Sequence, residues 1–407
     1  MPAMGLDLKG AAMEIADLRV ALFSGNYNYV RDGANQALNR LVGYLLRQGA
    51  AVRVYAPVVE NAAFPPTGDL VAVPSVPIPF RREYQMPLAL SAEVRRDLTK
   101  FAPNVVHVTS PDPVGHQAVT WGREHGLPVL ASVHTRFETY PRYYHMAFLE
   151  PLAVAILRRF YRRCDAMVAP SESTAQVMRE QRMGDNIGIW SRGVDRETFG
   201  PARRDGAWRR SLGFADDELV IGFLGRLVME KGLDVFADAM AALRKRGLAH
   251  KVLVIGMGPA RDWFAERVPE AHFTGMLTHG ELGRAVASMD VLLNPSVTET
   301  FGNVTLEAMA SGVPVVAARA TGSNSLVADD ETGLLVEPGD IAGFADAIGR
   351  YAADPELRRA HGAAGEKRSR DFSWDAINHT VAEVYLRLAS ARATAQVRTP
   401  AAVMRRA

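Results

Sequence analysis

Short runs of Val, Ile, Leu and Ala recur along both halves of the chain, and each is followed by a helix-like pattern. In the first half they are RVALFSG (19–25), AVRVYAP (51–57), VVHVTS (105–110), PVLASVH (128–134) and AMVAPS (166–171). In the second half they are ELVIGFLG (218–225), HKVLVIG (250–256), AHFTG (271–275), DVLLNPS (290–296) and PVVAARA (314–320). Continuous apolar runs, rather than strict alternation, belong to strands buried on both faces of a parallel sheet. Strand and helix alternating at this spacing mean βαβ units, so the fold class is α/β with two doubly wound parallel sheets. A chain of 407 residues is also too long for one ordinary core. The segment SRGVDRETFGPARRDG (191–206), rich in Gly, Pro and charge, reads as the linker between the halves. Ligands of such sheets bind beyond the carboxyl ends of the strands, so the expected site is the cleft between the two.

Composition removes several classes. A net charge of +2 is not that of a polybasic nucleic-acid binder, and no nucleic-acid partner is expected. The single cysteine, Cys164, allows no internal disulfide and fits a reducing cytoplasm. No run of about 18 apolar residues exists to span a bilayer. The opening MPAMGLDLKGAAMEIADL carries Asp7, Glu14 and Asp17 and reads as a loose leader, not a signal peptide. The closing SARATAQVRTPAAVMRRA lacks a pattern and is expected to fray.

Four stretches carry candidate chemistry. In LGRLVMEKGLDVFADAM (224–240), Arg226 follows a strand, and Lys231 with Gly232 opens a helix. Two cations so placed suit a diphosphate, although a solvated loop is the bland reading for either one alone. In VTETFGNVTLEAMASGVP (297–314), the loop Thr298–Asn303 joins a strand to a helix starting near Asn303. Gly302 and Asn303 suit a turn whose backbone N–H groups and helix dipole favour an anion. Glu299 in that loop can accept bonds from sugar hydroxyls, and Glu307 is placed to reach a ribose. Ordinary first-turn complementation of the dipole is the competing reading of Glu307. In GNYNYVRDGANQALNRLVGYLLRQGA (25–50), a helix pattern begins near Ala34, and Gly33 just before it permits close backbone approach to a phosphate. His134 ends a strand ahead of the polar, aromatic loop TRFETYPRYYH, and is read as pointing into the cleft.

Other sites are missing. GMGPAR (256–261) lacks the third glycine of a dinucleotide fingerprint, no GxxxxGK[ST] or GxSxG occurs, and no Cys/His cluster has metal-ligand spacing. No Asp-x-Asp is seen to hold a metal-bound nucleotide.

DGANQAL (32–38), RGVDRETF (192–199), GRLVMEKG (225–232), GMGP (256–259) and above all ETFGNVTLEAMASGVPVVA (299–317) resemble the retaining, nucleotide-sugar-dependent glycosyltransferases of family 4. The resemblance runs from about residue 19 to 390 and implies the GT-B fold. HTRFETYPRYY and EPLAVAILRRFYRRCD look most like the branch that glycosylates lipids, which includes sulfoquinovosyl-, glucuronosyl- and mannosyltransferases. It implies an acceptor domain at 1–195, a donor domain at 196–375, and a last helix, within 376–407, crossing back to the first. By the same resemblance Arg226 and Lys231 bind the donor diphosphate with help from Gly33. Glu299 contacts the transferred sugar, Thr300, Phe301, Gly302 and Asn303 line the donor loop, Glu307 holds the ribose, and His134 lies beside the sugar and acceptor. No metal and no other cofactor is implied. Met257 and Arg192 depart from the family pattern, where Asp and Asn are usual, and both are expected outside the chemistry.

The expected activity is transfer of a hexosyl or hexuronosyl unit, from a UDP-sugar first or GDP-mannose next, to a lipid or glycolipid hydroxyl. A nucleotide-sugar epimerase, or a transferase with a soluble or polysaccharide acceptor, is the alternative. Arg158, Arg159, Arg162 and Arg163, interleaved with Leu157, Phe160 and Tyr161, suit an anionic membrane surface. That placement would put the enzyme in the cytoplasm, peripheral on the inner face of its membrane. Tyr27, Tyr29 and Tyr140–Tyr144 are expected to frame the acceptor entrance.

Overall fold

The computed structural model describes residues 13–30, 32–78, 81–139 and 146–403. The segment at 140–145, expected at the acceptor entrance, and most of the leader lie outside them. The first half holds β1 (Arg19–Phe23), β2 (Ala51–Ala56), β3 (Asp69–Ala72), β4 (Ser75–Ile78), β5 (Arg81–Pro87), β6 (Val105–Val108), β7 (Val129–Ser132), β8 (Ala166–Ala169) and β9 (Ile187–Ile189). Seven of these form one sheet in the order β3-β2-β1-β6-β7-β8-β9, while β4 and β5 pair apart as an antiparallel hairpin. The second half holds β10 (Val220–Leu224), β11 (Lys251–Ile255), β12 (Ala271–Gly275), β13 (Val291–Asn294), β14 (Val315–Ala318) and β15 (Gly333–Val336). These form a six-stranded sheet in the order β12-β11-β10-β13-β14-β15. Every pairing within the two large sheets is parallel.

Each large sheet is apolar on both faces because helices cover both. In β1, Ala21 and Phe23 enter one core, and Val20 and Leu22 enter the other. In β10, Ile221 and Phe223 pack on one side and Val220 on the other. The last helix runs Trp374–Val403, into the closing segment expected to fray. Ile377, Val381 and Tyr385 of that helix are buried in the core beneath the first sheet, against Leu38, Leu41 and Leu45 of the helix Gly33–Arg47. Each such large side chain removed from water contributes about 1.5–3 kcal/mol, so the return of this helix to the first half is fixed by burial.

Strand order reverses at β1/β6 in the first sheet and at β10/β13 in the second. A parallel sheet opens a crevice at such a switch point, beyond the carboxyl ends of its strands. The loops that leave β10 and β13 are the ones that carry Arg226, Lys231 and Glu299.

Candidate active site

After β10 the chain passes Arg226, forms a short turn at Met229–Lys231, and enters the helix Leu233–Lys245 through Gly232 at φ +74°. That left-handed conformation favours glycine, and a Cβ there would also press on the Pro295 carbonyl beyond β13. The two loops are thereby brought together: Lys231 Nζ lies 2.6 Å from Glu299 Oε1, although 68 positions separate them in sequence. Arg226 is exposed, and its side chain makes no hydrogen bond or ion pair among the described residues.

The loop bearing Glu299 is held by two threonine hydroxyls. Thr321 Oγ1 donates to Glu299 O at 3.0 Å, and Thr298 Oγ1 donates to Glu230 O at 3.2 Å. The Phe301 ring is buried and packs edge-on to Phe372, with 5.8 Å between centroids, so only its backbone is left to face the cleft. Gly302, at φ +99°, turns the chain into the helix Asn303–Ala310. No side chain caps that helix, so its first N–H groups keep their capacity for an anion.

Glu307 is half-buried one turn into the same helix. Its carboxylate has no hydrogen-bond donor among the described residues. Burial, and secondarily the charge of Glu299, push its pKa up to about 8.

The first half faces this with a second helix start. Asp32 caps the helix Gly33–Arg47, its Oδ1 accepting from Ala34 N and Asn35 N, each at 2.9 Å. Gly33 lies against Asn303, and a Cβ at that position would overlap the Asn303 amide nitrogen. The two helix N-termini, one from each half, therefore meet. Ser171 Oγ and Thr174 Oγ1 donate to Thr300 O at 2.8 and 3.1 Å, Thr300 Oγ1 donates to His134 O at 3.3 Å, and Ser173 Oγ donates to Thr321 O.

His134 does lie at this junction, but its ring turns inward. Nε2 contacts Ser132 Oγ at 2.8 Å and Nδ1 contacts Arg192 Nη2 at 2.9 Å. Arg192, expected outside the chemistry, is thus in direct contact with a candidate site residue. The linker folds back beneath the strand ends and buries it, a geometry that motif spacing does not encode. Met257, by contrast, is exposed. Tyr27 and Tyr29 are also corrected. Both are buried, their hydroxyls donating to Thr67 O and Gly25 O at 2.6 Å, so they brace loops and do not frame an entrance.

Two facing parallel-sheet units with an anion-ready, carboxylate-bearing loop at the second switch point define a GT-B architecture of the nucleotide-sugar-using kind. Comparison with known proteins agrees. Residues 31–198 match the family described as Glycosyltransferase Family 4, and residues 218–354 match Glycosyl transferases group 1. The GDP-mannose-dependent alpha-mannosyltransferase of Mycolicibacterium smegmatis is 33% identical over 368 residues, covering 88% of this chain and 95% of that protein. The sulfoquinovosyl transferase SQD2 of Arabidopsis thaliana is 31% identical over 373 residues, covering 88% of this chain and 71% of its own. Among solved structures, sucrose-phosphate synthase from Thermosynechococcus elongatus superposes with a TM-score of 0.75 at 22% identity, covering 91% of this chain and 99% of that one. The chain belongs to the family 4 glycosyltransferases and is a hexosyltransferase that uses a nucleotide sugar.

Proposed function

We propose that the enzyme moves a hexosyl or hexuronosyl unit, with retention at the anomeric carbon, from a nucleotide-diphosphate sugar to a hydroxyl of a lipid or glycolipid. The supporting observation is the Lys231–Glu299 pair, set beside an uncapped helix start at the second switch point. Lys231, Arg226 and the backbone at Gly302 and Asn303 meet the charge that develops on the departing diphosphate, the kind of electrostatic term that is often the largest in catalysis. This set of cations and donors does the work with no metal ion. Glu299 accepts from hydroxyls of the transferred sugar, Glu307 from the ribose, and Gly33 lets the backbone approach the phosphates. The acceptor hydroxyl attacks the oxocarbenium-like carbon from the face the diphosphate leaves, and the diphosphate takes its proton. By the same reading, residues 1–195 with 376–407 form the acceptor domain and 196–375 the donor domain.

The sequence alone puts a UDP-sugar first. The relatives named GDP-mannose-dependent move GDP-mannose ahead of it. Thermal-shift measurement against GDP-mannose, UDP-sugars and ADP-sugars tests this, because a ligand that binds only the folded state raises apparent stability by about 2.7 kcal/mol at a hundredfold excess over Kd. GDP-mannose is expected to give the largest rise, and a response to none of the three would sink the donor assignment. Donor conversion without any acceptor would instead favour the epimerase.

The lipid acceptor calls for contact with a membrane surface at the cytoplasmic face. No described helix is long and apolar enough to cross a bilayer. The helix Glu150–Tyr161 and the turn before it expose Phe148 (77%), Leu152 (59%) and Ile156 (51%), a stripe at four-residue spacing that ends at the exposed Arg159, which has no ion pair among the described residues. The other arginines are partly engaged: Arg158 donates to Gln181 O, Arg162 to Arg182 O, and Arg163 to Thr120 Oγ1. The apolar stripe, which the sequence reading did not single out, is the better anchor. Co-sedimentation with anionic vesicles at low salt is expected for the native chain and is expected to drop several-fold in Leu152→Glu. No pelleting of the native chain would remove the idea.

A further inference from the structure

A chain of hydrogen bonds runs from the cleft to the returning helix. Arg192 Nη2 meets His134 Nδ1 at 2.9 Å, His134 Nε2 meets Ser132 Oγ at 2.8 Å, Ser132 Oγ meets His107 Nε2 at 2.8 Å, and His107 Nδ1 meets Tyr385 Oη at 2.6 Å. Proton counting orders this chain completely. A guanidinium has donors and no acceptor, so His134 Nδ1 must present its lone pair to Arg192. The His134 proton is then on Nε2 and is donated to Ser132 Oγ. The one hydroxyl proton of Ser132 goes to His107 Nε2, and His107 Nδ1–H donates to Tyr385.

Arg192 is held for this task. It is 4% exposed, its Nη1 donates to Trp190 O at 2.9 Å and to Ser191 O at 3.2 Å, and its Cζ lies 5.2 Å from the Trp190 ring centroid. It forms no ion pair among the described residues; burial lowers its pKa to about 10, against which Asp32, at the cap of the helix Gly33–Arg47, acts through space, and it stays charged at neutral pH.

The geometry points to Arg192 as a positioning residue that locks His134 in the neutral Nε2–H tautomer and so withdraws it from acid–base chemistry. A second proton on His134 would have to enter at Nδ1, where the guanidinium already donates. The groups facing the ring agree. Arg192 from the linker repels a second charge, His107 from β6 and Ser132 from β7 are neutral, Tyr385 from the returning helix is neutral, and Thr300 of the donor loop reaches only the His134 carbonyl. Burial, then Arg192, then His107 hold the His134 pKa well below its ordinary value, and burial pushes His107 down to about 3. Both ring nitrogens of His134 are thus engaged and its carbonyl accepts from Thr300 Oγ1, so an imidazolium beside a developing oxocarbenium is avoided.

The inference rests on the placement of His134 at the transferase cleft, but the tautomer is read separately from activity. Ring-15N-histidine labelling of the full chain, with His134→Gln to assign the signal, reports the tautomer directly. We expect a single Nε2–H form that does not titrate between about pH 5 and 8. Arg192→Met is expected to lose that signature and to move the acidic limb of kcat/KM to higher pH, still short of the ordinary histidine pKa of ~6.5 because burial, the larger cause, remains. Arg192→Lys, which restores a donor to Nδ1, is expected to recover the native profile. A His134 that titrates in the native chain, or that carries its proton on Nδ1, overturns the proposal even if Arg192→Met fails to fold. So does a pH profile that Arg192→Met leaves unchanged. A spectrum as expected, with no transfer from any donor, would count against the substrate reading and leave the tautomer lock standing.

Discussion

Replacing Lys231 by Ala is expected to lower kcat by about 10²- to 10³-fold while the protein stays folded, the range seen when one preorganised donor is taken from a site of developing charge. The side chain ends at Glu299, and it enters none of the four buried cores, so little packing is lost with it. What is lost is the cation paired with Glu299 and, on the proposed reading, the charge that meets the departing diphosphate. Lys231→Arg keeps the charge but presents a planar fork to a site built for a point charge, and is expected to recover only part of the rate. Steady-state kinetics with matched circular dichroism spectra decide. Near-native turnover in Lys231→Ala would dismiss the role given to this pair.

Glu307→Gln is expected to have two opposite effects. On the proposed reading it puts a donating NH2 where one carboxyl oxygen faces the ribose, weakening donor binding by a few-fold to about tenfold, as loss of a neutral hydrogen bond does. It also stabilises the protein at high pH. In the folded state Glu307 has its pKa raised from 4.5 to about 8, so between those values the folded protein holds a proton that the unfolded chain has released. That proton contributes stability that is present in full below about pH 4.5 and is lost as pH rises through about 8. A neutral amide has no such dependence. Melting temperatures of the two proteins are expected to keep a constant difference below about pH 4.5, to diverge progressively between about pH 4.5 and 8 in favour of Glu307→Gln, and to diverge no further above that. Parallel curves across the range would show that Glu307 is not held protonated, and unchanged donor affinity would refute its contact with the ribose.

The parallel strands were legible because burial on both faces leaves an unbroken apolar run, as in β1 and β10. The elements that escaped notice are those without such a run. β3 begins at Asp69 and is largely exposed at an edge, β9 is the three residues Ile187–Ile189, and β4 and β5 carry Pro77, Pro87 and three charges. At the site, Gly302 and the helix start at Asn303 followed from local turn chemistry, and the structure puts both there. Contacts between distant segments could not be read this way. The pairing of Lys231 with Glu299 requires β10 and β13 to be neighbours. Arg192 reaches His134 only because the linker doubles back under β7. Tyr27 and Tyr29 looked like an entrance because aromatic residues near a glycine suit one, and only packing shows that their hydroxyls are spent on backbone carbonyls.

The bonds that join Ser171, Ser173 and Thr174 to the carbonyls of Thr300 and Thr321 are all between neutral groups, each contributing about 0.5–1.5 kcal/mol net. Water can replace such bonds at little cost, and they carry no charge for salt to screen. On the proposed reading, parting the two halves at these bonds to release the spent nucleotide therefore meets a low and reversible barrier. Any ionic-strength dependence of turnover then reports the nucleotide's own charges meeting Lys231 and Arg226, and not the parting of the two halves.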